Sequence, residues 1–203
     1  MPALTEHLGL PNNFPMNTCL EIDVNYWGFS NNAPLSTVGA LPCMNVVVHR
    51  GNVGCLAHVW NTNVSRTENY HRACFTIQTM INDAIGHRDN LNIWLGAGTM
   101  FNRFGQAGEH DIPVYGFIRY LAVFLPRTDY PGRTIMDHRL NAPLNLYANA
   151  PVYDPGSIVY NPPTGCVYLI QRNKLDPNGF TDDSQRHSVQ TGNHPAQHYH
   201  QCI

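Results

Sequence analysis

The sequence predicts an α+β domain: a layered, β-sandwich-like sheet core with one long helix packed on it. Three observations carry this. Strand-type segments outnumber helical ones, a hairpin signal is centred on Gly51-Asn52, and the one strong helical periodicity lies between hairpin groups. A doubly wound parallel sheet would instead alternate single strands with helices. At 203 residues the chain is long enough to bury a substantial core within one domain.

In chain order, residues 1–17 are rich in Pro and Asn and read as irregular. Cys19 to Tyr26 alternates apolar and polar residues, as a half-buried strand does, until Ser30-Asn31-Asn32-Ala33-Pro34 breaks the pattern. The β-branched run Val46 to Val48 and the apolar run Val53 to Trp60 then flank Arg50-Gly51-Asn52, giving a β-hairpin. Ser65 or Thr67 can cap a helix whose apolar positions Tyr70, Ala73, Cys74, Ile77, Met80, Ile81, Ala84 and Ile85 keep helical spacing, with Gly86 as the stop. Asn92 to Gly98 is a strand ending in a glycine turn. A helix over 116–124, or a strand over 114–125, comes next, and 127–139 reads as loop. Later strands are expected at Leu144–Tyr147, Ser157–Tyr160 and Cys166–Gln171, the last two joined through Asn161-Pro162-Pro163-Thr164-Gly165. The domain is therefore expected over 1–175. Residues 176–203, polar, His-rich and nearly devoid of apolar residues, read as a disordered tail.

Bulk composition narrows the function. Charged residues make up 13% of the chain, against the usual quarter or so. Twelve Lys plus Arg are scattered among fourteen acids, so there is no basic patch for nucleic acid. No apolar run reaches the roughly 20 residues of a membrane span. The N-terminus lacks the basic and apolar regions of a signal peptide, which leads us to expect a cytoplasmic protein or one secreted by a specialised route. Six cysteines without a C-x-x-C pair read as free thiols. A monomer that needs no cofactor or metal is expected. His187, His194, His198 and His200 crowd the tail, but no fixed scaffold underlies them as a metal site.

The chemistry-bearing residues lie around the hairpin. With a turn at Gly51-Asn52, residues whose numbers sum to 102 or 103 face each other, which brings Cys43 near His58. A cysteine nucleophile needs a base, a group to orient that base, and oxyanion donors. Cys43, His58 and Thr37 can fill the roles of nucleophile, base and orienting group. The rival pair is Cys55 with His71, but position 49, six before Cys55, is a His rather than a hydroxyl residue. Cys55 and His58 point to opposite faces of one strand. The competing structural reading is a small buried thiol beside a core imidazole.

These residues resemble the CheD-type protein-glutamine deamidases and their toxin relatives, the cytotoxic necrotizing factor catalytic domain and Burkholderia lethal factor. In that family a Thr lies six residues before the nucleophilic Cys of an L-G-S-C or L-S-G-C motif, and the His follows on the next strand. Here Thr37 precedes Cys43 by six, Ala40-Leu41-Pro42-Cys43 stands at the motif, and His58 follows at fifteen. Gly51 to His58 is similar to the family's His strand, Asn92 to Phe101 to its K-I-F-G-G-A segment, and Gly156 to Val167 to its closing hairpin, so the likeness spans residues 35–171. Pro42 departs from the motif and has no N–H, and Gly156-Ser157 stands where the family has Gly-Arg.

The resemblance implies a CheD-like deamidase fold and a Cys43-His58-Thr37 triad. It implies conversion of a protein glutamine to glutamate with release of ammonia, the partner being a protein substrate that presents a Gln side chain. A toxin or virulence effector acting on a host protein is the version expected. The alternatives are a chemoreceptor-modifying enzyme and a non-catalytic binding protein on the same fold.

Overall fold

A computed structural model describes residues 4–15, 18–37, 43–60, 66–86, 91–97, 133–136, 153–171, 187–188 and 199–202. The chain begins with β1 (Thr5–Leu8), β2 (Leu20–Glu21), β3 (Tyr26–Ser30) and β4 (Leu35–Thr37), followed by the hairpin strands β5 (Met44–Arg50) and β6 (Val53–Val59). Helix α1 (Arg66–Met80) runs on into a wider π-helical turn, Ile81–Ile85. After it come β7 (Asn92–Ala97), β8 (Arg133–Met136), β9 (Tyr153–Asn161), β10 (Cys166–Gln171), β11 (His187–Ser188) and β12 (Tyr199–Gln201).

Among the described residues these strands form two sheets, ordered β1-β10-β9-β4-β2-β11 and β12-β3-β6-β5-β7-β8. The α+β class expected from the sequence is what the structure shows. The second sheet is the middle layer, and its two faces follow from strand alternation. Met44, Val46 and Val48 of β5 and Cys55, Ala57 and Val59 of β6 pack with Tyr70, Ala73, Cys74, Ile77 and Met80 of α1. Val47, Leu56 and Trp94 point the other way, to Leu35, Ile158, Tyr160, Val167 and Leu169 of the first sheet. Because β5 and β6 are covered on both faces, they read as near-continuous apolar runs. Any polar residue inside them is therefore conspicuous.

The hairpin register is that of numbers summing to 103: Met44 faces Val59, Asn45 faces His58, and Arg50 faces Val53 across the turn. Gly51 has φ of +68°, the left-handed backbone that a tight hairpin turn requires. Gly54, opposite His49, has a different constraint. A Cβ there would overlap the Tyr160 hydroxyl and come within 2.7 Å of the Val48 carbonyl oxygen, so the tyrosine of the facing sheet sits directly on the glycine backbone.

Several elements differ from the sequence reading. Residues 5–8, expected to be irregular, form β1 in parallel with β10. The strand expected over Cys19 to Tyr26 is split between the two sheets by a turn at Asp23-Val24-Asn25. Asn25 takes φ of +68° and the Asp23 carboxylate accepts the Val24 N–H at 2.7 Å, both habits of Asx residues in turns. The helix starts at Arg66, so Thr67 lies inside its first turn and is not the cap; Ser65 falls outside the described residues. At the other end Gly86 stops the helix as expected, with φ of +76° and its N–H donating to the Ile81 carbonyl at 2.7 Å. Strand β8 lies within the 127–139 segment read as loop. In the tail, β12 pairs antiparallel with β3, His200 stacks on Trp27 with centroids 4.2 Å apart, and Cys202 is buried in the helix-side core. These contacts give residues 199–202 the apolar surface and strand edge that their own composition does not announce. The strand expected at Leu144–Tyr147 and the element expected over 114–125 lie outside the described residues.

Candidate functional site

Three strand ends meet at one end of the two-sheet layer. Thr37 is the last residue of β4, Cys43 immediately precedes β5, and His58 is the penultimate residue of β6. Asn45 and His58 are direct cross-strand partners. Two residues back along the same face of β5, Cys43 becomes the diagonal neighbour of His58, a separation at which side chains still reach one another. That face is turned toward the first sheet, as the neighbouring Val47 and Leu56 show. β4 pairs with β9 there, Thr37 opposite Ile158.

Thr37 Oγ1 and His58 Nδ1 are 2.8 Å apart, and both side chains are fully buried. In the tautomer carrying its proton on Nδ1, the imidazole donates to the threonine hydroxyl and keeps the lone pair of Nε2 for a proton. No described residue hydrogen-bonds Nε2, Cys43 included. Of the three sequence-predicted residues, the structure thus joins Thr37 to His58 directly. Cys43, 5% exposed, stands beside them through strand register and not through a hydrogen bond to the ring. Pro42 and the loop before it lie outside the described residues.

Electrostatics follow from burial. Desolvation pushes the His58 pKa down from 6.5 to about 4, against an opposing pull from the Asp23 carboxylate. The resting ring is therefore neutral at pH 7 and able to act as a base. Burial acts on the other thiols in the opposite sense, raising Cys19, Cys74 and Cys202 to about 12 and Cys55 well above its ordinary value. All six cysteines are free. Cys55 lies on the helix-facing side of β6, while His71 is exposed on α1, so the rival pair is not brought together.

Two neighbours of the site escape a reading of the sequence alone. Asn45 is a fully buried polar residue inside an apolar strand, facing His58 on one side and Gly96 of β7 on the other. Gly96 has no side chain because the Trp94 ring occupies that space, and the Trp94 indole N–H donates to Glu6 at 2.8 Å. The signal that could have found Asn45 is its place between Met44 and the apolar run Val46 to Val48. Asp23 is the second, hidden in a segment that reads as uninterrupted strand. Farther along the same layer His49 Nδ1 and the Tyr160 hydroxyl are 2.7 Å apart and buried.

Among the described residues no three His, Cys, Asp or Glu side chains gather as a metal site, and no helix is long and apolar enough to cross a membrane. The chain matches no family model and no curated protein.

Proposed function

We propose that the chain is a cysteine-dependent hydrolase of side-chain amides, acting as a protein-glutamine deamidase with Cys43 as nucleophile, His58 as base and Thr37 as the residue that orients the base. The observation that carries this reading is the buried 2.8 Å contact between Thr37 Oγ1 and His58 Nδ1, with Nε2 left open and a cysteine one diagonal step away in the hairpin register. Imidazole held by one ring nitrogen and open at the other is the arrangement a base–orienter pair needs. The resemblance to CheD-type deamidases supplies the substrate class.

The reaction divides between these groups as follows. His58 Nε2 removes the thiol proton as Cys43 Sγ attacks the carboxamide carbon of a substrate glutamine. In this reading the Cys43 main-chain N–H serves as one oxyanion donor, and the second must come from a residue other than Pro42, which has no N–H. As the tetrahedral intermediate collapses, the C–N bond breaks and imidazolium passes its proton to the departing ammonia. Water, deprotonated by the same imidazole, adds to the thioester carbon and releases glutamate, and Cys43 recovers its proton. We further propose an effector acting on a host protein as the biological setting, ahead of a chemoreceptor-modifying role.

The test is ammonia release from glutamine-containing proteins, with the amide-to-acid mass change mapped to one glutamine. Wild type should produce it from a host-cell extract, and Cys43→Ser and His58→Ala should abolish it. Wild-type rates in both variants would sink the assignment. The non-catalytic reading draws on the burial of all three residues, 5% exposed or less; it predicts no difference between Cys43 and the other buried thiols in reactivity.

A further inference from the structure

Thr37 is a neutral third member, so once the Cys43 sulfur is bonded to carbon, an imidazolium at His58 inside this buried layer meets no counter-charge within the triad. We infer that Asp23 is a positioning residue that supplies this charge, holding imidazolium in place while the proton is on the ring. This deepens the reading given above and rests on it.

The geometry comes from the turn between β2 and β3. Asn25 N–H donates to the main-chain carbonyl of His58 itself, at 2.8 Å. The turn is fixed on its other sides as well. Tyr26 N–H donates to the Asp23 carbonyl at 3.1 Å and Cys202 N–H to the Asn25 carbonyl at 2.8 Å. Arg72 of α1 donates to Asn25 Oδ1 at 2.9 Å, and the Asp23 carboxylate accepts the Val24 N–H. The carboxylate is tied to its own turn through the Val24 N–H, and that turn is docked on the backbone of the base and held by Cys202 and α1. Its charge already acts on the ring, since it is the influence that opposes burial at His58.

The other groups around this end do not replace it. Thr37 of β4 and Asn45 of β5 are neutral, and Cys43 is the proton's source. Glu6 of β1 is engaged by Trp94, and Glu21 of β2 pairs with Ser36 of β4, but the carboxylate whose charge acts on the His58 ring is Asp23. Arg72 is the nearby cation, and it reaches the turn at Asn25.

The experiment uses iodoacetamide on the full chain, with modification mapped by peptide mass and rates measured from pH 2.5 to 8. Asp23→Asn keeps a side-chain oxygen for the Val24 N–H but loses the charge. It should slow Cys43 alkylation at pH 7 roughly fivefold to tenfold at low salt, the worth of a partly screened charge pair. It should also move the acidic limb to lower pH, because without the carboxylate His58 holds its proton less tightly. Asp23→Glu should restore both features. A merely structural role would lower the rate, if at all, without that shift of the limb. Selective Cys43 alkylation in wild type with an unchanged rate and limb in Asp23→Asn overturns the inference and leaves the proposed function standing. Absence of selective Cys43 alkylation in wild type overturns the proposed function and the inference with it.

Discussion

Replacing Thr37 by Val isolates the contact on which the site depends. The substitution keeps a branched side chain in the buried layer and removes only the hydroxyl bonded to His58 Nδ1 at 2.8 Å. Because Nε2 has no described partner, the variant leaves the imidazole with no described hydrogen bond. An unsatisfied buried polar group costs about 1–3 kcal/mol, and the added methyl returns up to about 0.8 kcal/mol. The net loss should be about 1–2 kcal/mol in urea unfolding. The comparison variant is Thr37→Ser, which keeps the hydroxyl and deletes a methyl. It should lose about 1 kcal/mol by forfeited burial, yet keep the Nδ1-protonated tautomer seen in long-range proton–nitrogen NMR spectra. The two variants thus have similar stabilities and opposite effects on the ring. A double-mutant cycle with His58→Leu should give a coupling of about 1 kcal/mol or more. Unchanged stability and an unchanged tautomer in Thr37→Val would show that the contact does not orient the ring.

Stability should also depend on pH through His58. Its pKa is about 4 when folded and about 6.5 when unfolded. The unfolded chain therefore binds the extra proton between those values, and stability falls as pH drops through that window, by about 3 kcal/mol in all. His58→Gln should remove this part of the slope, checked by urea midpoints from pH 7 to 4. Gly54→Ala should destabilise by about 2 kcal/mol or more, because the new Cβ meets the Tyr160 hydroxyl and the Val48 carbonyl; Gly54→Ala with Tyr160→Phe should recover little, since the Val48 carbonyl oxygen lies only 2.7 Å away. Removing residues 199–203 should lower the melting temperature and expose Trp27, visible as a red shift of tryptophan emission, since β12, His200 and Cys202 cover that side of β3.

Much of the site was legible because it is local. The turn at Gly51-Asn52 fixes the register, and register alone places Cys43 one diagonal step from His58. Thr37 was a candidate whose weight came from resemblance to a family, because it comes from the opposite sheet and nothing in the hairpin predicts which strand covers it. The structure specifies the Thr37 hydroxyl as the group that meets the ring. What escaped was non-local or disguised. β1 pairs with β10, more than 150 residues away, and β12 is built on Trp27 and Gly28 of β3; neither segment carries enough apolar alternation to declare itself. The turn at Asp23-Val24-Asn25 hid inside an alternating pattern because one left-handed residue redirects the chain without disturbing the alternation on either side. With the turn hidden, Asp23 was hidden too. Asn45, just before the apolar run Val46 to Val48, escaped because its meaning needed the knowledge that both faces of β5 are covered.

Site-resolved alkylation of wild type against His58→Ala at pH 6.5 tests the central claim most directly. Burial holds Cys19, Cys55, Cys74 and Cys202 in the unreactive thiol form, and a Cys166→Ser background removes the partly exposed thiol. With His58 neutral and beside it, Cys43 should be modified first in wild type and at least tenfold more slowly in His58→Ala. Equal rates in the two proteins, or a Cys43 no faster than the core thiols, would contradict a nucleophile–base pair at this end of the sandwich.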